Sequence, residues 1–200
     1  QEGVVTGSNN IGLGFNALDN NASGNDNIAI GSRTLEYNTA SNNIAIGKDA
    51  LNFNTTAAFT TGIGYRALSL NTTGVQNTAL GAFSLTQNVT GGHNTAVGYQ
   101  CLQNNTRWYN TAIGSEALQA NTIGDLNSAF GSKALVNNST GERNTAAGAF
   151  ALYSNTTGSS NTAQGFQSLG GNGSYNTAMG DQALKWNQTA SSNTAMGASA

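Results

Sequence analysis

From Asn10 onward, short apolar clusters alternate with polar turns at a spacing of about 17 residues, and the same phrase returns each time. It reads Asn-Thr-Ala-Xaa-Gly, then an Ala-Leu pair, then Asn-Thr-Thr-Gly, and is clearest over residues 144–158. A glycine anchors each unit, at Gly14, Gly31, Gly47, Gly64, Gly81, Gly98, Gly114, Gly131, Gly148, Gly165, Gly180 and Gly197. Four positions later stands leucine wherever the chain is long enough, as at Leu85, Leu102 and Leu152. Seven positions later stands asparagine, as at Asn71, Asn88 and Asn155, and four positions earlier another asparagine, with Thr60 the exception.

The Thr-Ala-Xaa segment predicts a short strand whose alternate side chains point to opposite faces. Alanine looks one way. Threonine and the variable residue look the other, and the variable residue is mostly large and apolar: Leu13, Ile30, Ile46, Ile63, Leu80, Val97, Ile113, Phe130, Met179 and Met196. Both faces are therefore expected to be covered. Glycine permits the corner that follows, the Ala-Leu pair is expected to form a second short strand, and Asn-Thr-Thr-Gly closes the coil with residues that tolerate turn geometry. Equivalent asparagines in successive coils are placed to hydrogen-bond as ladders.

A unit this short cannot bury a core alone and must bury it against its neighbours. The expected fold is all-β, a parallel β-roll or β-solenoid of about twelve coils of 15–17 residues. It forms a single repeat domain over residues 1–200, with a partial coil at 1–9, the repeats at 10–197 and a truncated coil at 198–200. At about 4.8 Å per strand this makes a rod roughly 58 Å long.

Composition adjusts the picture. Charged residues are 8% and hydrophobic residues 38%, much of the latter alanine, so one chain is expected to pack thinly. The net charge of -2 and the lack of any lysine or arginine run argue against nucleic acid. No apolar stretch approaches the roughly 20 residues that membrane insertion needs, and Gln1-Glu2-Gly3 is polar, unlike a signal peptide. Cys101 falls where other coils carry Ala, Ser or Thr and is read as a small packing residue; a single cysteine excludes a disulfide within the chain. Lys48, Asp49, Arg66, Glu116, Lys133 and Asp181, just past the glycine, and Asp125, Glu142 and Arg143, in the closing turn, are read as solvated corners.

Catalytic chemistry finds no members here. His93 is the single histidine and lies in a closing turn beside Gly91-Gly92; no triad, no histidine cluster and no carboxylate ladder for calcium exists, and no enzyme activity, metal or cofactor is expected. The candidate contact surface lies in the coil from Gly98 to Gly114, whose turn reads Thr106-Arg107-Trp108-Tyr109. A cation beside two amphipathic rings suits a glycan or protein surface, and the alternative is that the rings cover a shortened turn or pack on a neighbouring chain. Phe15, Tyr65, Phe83, Tyr99, Phe150 and Phe166 recur just after the glycine and form a second candidate, an outward stripe, unless they too pack between chains. The shortened coil carrying Gly170-Gly171-Asn172-Gly173-Ser174-Tyr175 reads as a kink or loop. Asn-Xaa-Thr triplets such as Asn71-Thr72-Thr73 and Asn187-Gln188-Thr189 match glycosylation sequons, but are a by-product of the repeat.

The phrase Asn-Ile-Ala-Ile-Gly, at residues 27–31 and 43–47, resembles the head repeat of the trimeric autotransporter adhesins, and similar repeats occur in tail fibres of phages and phage-like particles. Later Asn-Thr-Ala-Xaa-Gly units are variants of it, so the resemblance covers essentially the whole chain. It implies a left-handed β-roll assembled side by side as a homotrimer, with the variable apolar residue facing neighbouring chains and alanine filling the roll. It also implies an extracellular setting, on a bacterial surface or a virion-like particle, with a host-surface receptor, glycan or matrix protein as partner.

Two departures qualify this. The period exceeds that of the shortest adhesin head repeats, which leaves a triangular β-helix coil open. Ala147 and Gln164 also interrupt the apolar series, and three Gln164 side chains at a trimer axis would form a register-fixing polar layer. Three functional readings follow: an adhesive or spacing fibre segment; a tail fibre of a phage or contractile injection particle; and an ice-binding solenoid, from the file of Thr78, Thr95, Thr111, Thr145, Thr162 and Thr177. Thr6-Gly7-Ser8 resembles the closing turn of a missing coil and Gly197-Ala198-Ser199-Ala200 stops short of a leucine, so flanking sequence or end-to-end stacking is expected.

Overall fold

The computed structural model describes residues 7–200; Gln1-Glu2-Gly3, Thr6 and most of the expected partial first coil lie outside them. Each coil contributes one three-residue strand: β1 (Ile11–Leu13), β2 (Ile28–Ile30), β3 (Ile44–Ile46), β4 (Thr61–Ile63), β5 (Thr78–Leu80), β6 (Thr95–Val97), β7 (Thr111–Ile113), β8 (Ser128–Phe130), β9 (Thr145–Ala147), β10 (Thr162–Gln164), β11 (Thr177–Met179) and β12 (Thr194–Met196). They pair in chain order into one twelve-stranded parallel sheet. Every residue lies opposite its counterpart, as in Thr95 with Thr111, Ala96 with Ala112 and Val97 with Ile113. This is an all-β solenoid, without a helix among the described residues.

The expected second strand is absent, and backbone geometry gives the reason. The second residue after the glycine and the leucine both adopt left-handed conformations, the leucines at φ between 47° and 56°. A strand needs strongly negative φ. The segment instead makes two tight turns, with Ala67 N donating to Gly64 O (3.2 Å) and Asn71 N donating to Leu68 O (3.1 Å). Between them the leucine keeps one bond to the next coil, Leu68 N to Ser84 O at 3.0 Å.

A left-handed leucine explains a residue choice that periodicity leaves unexplained. β-Branched side chains are the worst tolerated at positive φ, whereas leucine branches one carbon further out. Among the described residues, none of the non-glycine residues with positive φ is Val, Ile or Thr. Most of the described β-branched apolar residues lie instead in the strands, with Val75, Val89, Ile123 and Val136 in the turns between them.

The interior is one leucine and two small residues wide. Strand alanines such as Ala96 and Ala112, the small residues before the repeat leucines from Thr34 to Ala183, and the repeat leucines from Leu35 to Leu152 are fully buried. Cys101 occupies one of the small positions with no exposure, its Sγ–H donating to Ala112 O at 3.2 Å. Burial pushes its thiol from the usual 9.0 up to about 12, a backbone hydrogen bond with Val97 offsetting part of the rise.

Two asparagine ladders line the ends of this core, and they explain why asparagine recurs. In the first, Oδ1 accepts the backbone N–H at the same position of the next coil, as Asn94 Oδ1 does from Asn110 N (2.9 Å) and Asn110 Oδ1 from Asn127 N (2.9 Å), with Thr60 N donating to Asn43 Oδ1 where the asparagine is replaced. In the second, amides bond to one another, as Asn121 Nδ2 to Asn105 Oδ1 (2.7 Å) and Asn138 Nδ2 to Asn121 Oδ1 (2.9 Å). Asn88 Oδ1 and Asn155 Oδ1 are buried without a hydrogen-bond partner. Beyond Asn88, the Asn105 amide keeps only the turn bond that every ladder asparagine makes, here to Arg107 O (2.9 Å); beyond Asn155, Asn172 turns outward to accept from Thr156 N (2.6 Å).

Glycines serve two separate demands. The anchoring glycines combine φ of 118° to 142° with stacking on one another: a Cβ on Gly81 would sit 2.4 Å from Gly98 O. The closing-turn glycines are needed for space alone. A Cβ on Gly74 would lie 2.2 Å from Gly91 O, and the left-handed residue there is Gln76, two positions on.

The solvated-corner reading holds for exposed Lys48, Arg66 and Asp181 but not for Asp49. Asp49 is buried, and Arg33 Nε reaches its carboxylate at 2.8 Å. Glu36 is also buried, accepting from Asn52 Nδ2 at 2.9 Å. Both pairings join side chains of adjacent coils. The sequon asparagine Asn71 is fully buried in the second ladder and is closed to modification in the folded chain.

Candidate functional surface

The strand's two faces differ in exposure. The middle alanine is buried, while its neighbours on the opposite face are half-buried or exposed. Within a single chain the expected two-sided cover is therefore one-sided: Leu80 is 46% exposed and Ile113 43%. Sheet register lines these residues into one apolar file, beside a second file that is isoleucine in β1–β3 and threonine or serine thereafter. Ala147 and Gln164 lie in the first file, with Gln164 exposed.

Aromatic groups flank this face on both sides. Just after the strands, Tyr65, Phe83 and Tyr99 do come together, edge-to-face at 5.1 Å and 6.1 Å between ring centroids. The Arg66 guanidinium lies 5.9 Å from the Tyr65 ring centroid. Phe150 and Phe166 form a second such run at 6.0 Å. The outward stripe is thus two short runs rather than one continuous file, because the coils between them carry Ser115-Glu116 and Ser132-Lys133 at the two positions after the glycine.

Just before the strands, His93 stacks on Tyr109 at 4.8 Å with planes 13° apart, and Trp108 lies 5.8 Å from His93. His93 and Tyr109 are the same position in successive coils, both left-handed. Trp108 lies across Gly92, where a Cβ would meet its ring at 2.4 Å. Its backbone N–H donates to Asp125 Oδ1 at 2.9 Å. Trp108 therefore covers the turn below it, while Tyr109 is 54% exposed. Arg107 contributes its backbone, its carbonyl accepting from Asn94 Nδ2 (2.6 Å) and Asn105 Nδ2 (2.9 Å), and its side chain is exposed.

Sequence reasoning treated His93 and the Trp108-Tyr109 turn separately, although a count back from each glycine puts them in register. It also passed over the stacked pair Tyr37 and Phe53, 5.5 Å apart, and the rings beside the shortened coil, Tyr153 and Trp186. Among the described residues no three His, Cys, Asp or Glu side chains gather as metal ligands, and no helix is long and apolar enough to cross a membrane. Compared with family models, curated proteins and solved structures, the chain matches none.

Proposed function

We propose that this chain is a structural and adhesive segment of an extracellular fibre, a side-by-side homotrimeric, left-handed β-roll rod that carries a surface for cell attachment. The observation that carries the reading is the exposed, register-aligned apolar file on the outer strand face. A half-buried to exposed apolar file, broken at Ala147 and Gln164, marks an interaction face, and a file that runs along a rod is matched best by an identical file on another copy. The resemblance of residues 27–31 and 43–47 to adhesin head repeats supports the threefold arrangement.

With the strand face turned to neighbouring copies, the aromatic groups at its flanks remain for contact with a host receptor, glycan or matrix protein. Tyr65, Phe83, Tyr99 and Tyr109 are the rings assigned to that contact, with Arg107 beside them. Light scattering of the native particle in dilute buffer tests the assembly. The expected mass is three times the 20.4 kDa chain. A stable monomer would overturn the threefold packing and leave the outer file as bare surface.

A further inference from the structure

The shortened coil between Gly165 and Gly180 opens a groove that regular coils lack. At the fifth position after the glycine, three successive coils carry Tyr153, Gly170 and Lys185; at the sixth, Ser154, Gly171 and Trp186. The middle coil has no side chain at either place, so its neighbours stand as walls about two strand spacings, roughly 10 Å, apart. The gap is built into the backbone. A Cβ on Gly170 would lie 2.0 Å from Lys185 O, and one on Gly171 2.1 Å from Asn187 O.

The resulting cavity is about 300 Å³, at the lower end of the range for small-ligand sites. Tyr153 and Phe150, 5.6 Å apart, form one wall. Trp186 forms the other. Gln167 and Gln188 bring amides to the rim. Rings for the C–H faces of a sugar and amides for its hydroxyls are the chemistry that grips a saccharide.

The charge narrows the class. Lys185 is the one charged residue lining the groove, in a chain whose net charge is negative. Its ammonium lies 5.2 Å from the Trp186 ring centroid and donates to Gln182 Oε1 at 3.2 Å. An ammonium has three donors, which leaves capacity for a carboxylate. We propose that this groove binds an acidic saccharide, stacked on Trp186 with its carboxylate on Lys185. It deepens the reading of the chain as an attachment fibre and lies outside the Tyr65 and Tyr109 surfaces.

Titration of the full chain with glucuronic acid and N-acetylneuraminic acid, with glucose as the neutral control, tests it by calorimetry and tryptophan emission. Millimolar binding of an acidic sugar is expected. Trp186→Ala should abolish it without changing the circular dichroism spectrum. Lys185→Gln should weaken the acidic sugars about ten-fold and leave glucose unchanged, as loss of one charged contact predicts. No heat with any sugar at tens of millimolar, equal binding of glucose, equal binding of a tetraglutamate peptide, or undiminished binding by Trp186→Ala would each overturn the proposal. Particle mass is measured on the same samples. A monomer that binds the acidic sugar keeps the groove and refutes the trimer, and a trimer that binds no sugar does the reverse.

Discussion

In β7 the side chain of Ala112 is fully buried, while Thr111 and Ile113 on either side of it face outward, Ile113 with 43% of its surface exposed. The inward side admits almost no variation along the rod: alanine throughout, with Gly12 and Gly62 the smaller exceptions. The outward side admits Phe130, Ala147, Gln164 and Met179 at one equivalent position. Inside, each coil must fit one leucine and two small residues under identical neighbours, so a change in volume is felt in the coil above and below. Outside, a single chain imposes no such limit. What is uniform there, the mostly apolar character, answers to whatever lies against the chain.

The sharpest break of the inner rule is Gly81→Ala, which combines φ of 142° with a Cβ 2.4 Å from backbone. A loss of about 4 kcal/mol or more is expected, seen as absence of a cooperative unfolding transition. Leu118→Ala, in the core, should cost about 2–5 kcal/mol in denaturant unfolding, whereas Ile113→Ala on the outer face should cost less than about 1 kcal/mol in a separated chain. Equal costs would erase the distinction between the faces. Leu118→Ile keeps the volume but puts a β-branched residue at φ of 52°, and a destabilisation of about 1–2 kcal/mol is expected from backbone strain.

Asn121→Ala removes one rung of the second ladder: Asn138 Nδ2 loses its Oδ1 acceptor and Gly124 O loses its amide donor, while Asn105 Oδ1 keeps only Asn110 Nδ2. It should cost about 2–3 kcal/mol, measurable in the same unfolding experiment. Gln164→Leu sharpens the outer side. If three copies pack on that face, melting should rise by a few degrees and assembly should change; unchanged assembly and melting would count against a polar layer there.

The smallest effect belongs to Cys101, whose folded thiol is raised from 9.0 to about 12. Above pH 9 the unfolded thiol ionises and the folded one does not. Stability from this group is therefore complete below pH 9 and declines toward pH 12, and Cys101→Ala should flatten that decline in melting curves. Folded chain should resist alkylation at pH 8.

Much of the interior was legible because in-register stacking makes every coil face the same steric demand. Gly98, Leu102, Asn105 and Ala112 could each be placed by counting from a glycine. The surfaces were less legible. Phe83 and Tyr99 occupy different repeat positions yet meet edge-to-face, and the second strand was misread because Ala-Leu carries no mark of positive φ except the avoidance of β-branched residues. The groove at Gly170 arises from an omission, two residues missing from one coil, and its walls belong to the coils on either side.

By itself the sequence determined the period, the single parallel stack, and which residues turn inward, since a repeated short unit can bury itself only against its own copy. The tertiary structure alone decided that leucine sits in a turn, that Asp49 is buried against Arg33, that His93 lies on Tyr109, and that Tyr153 and Trp186 line one groove. Those outcomes depend on contacts between coils that differ in length and side chain, and a period describes only what coils share.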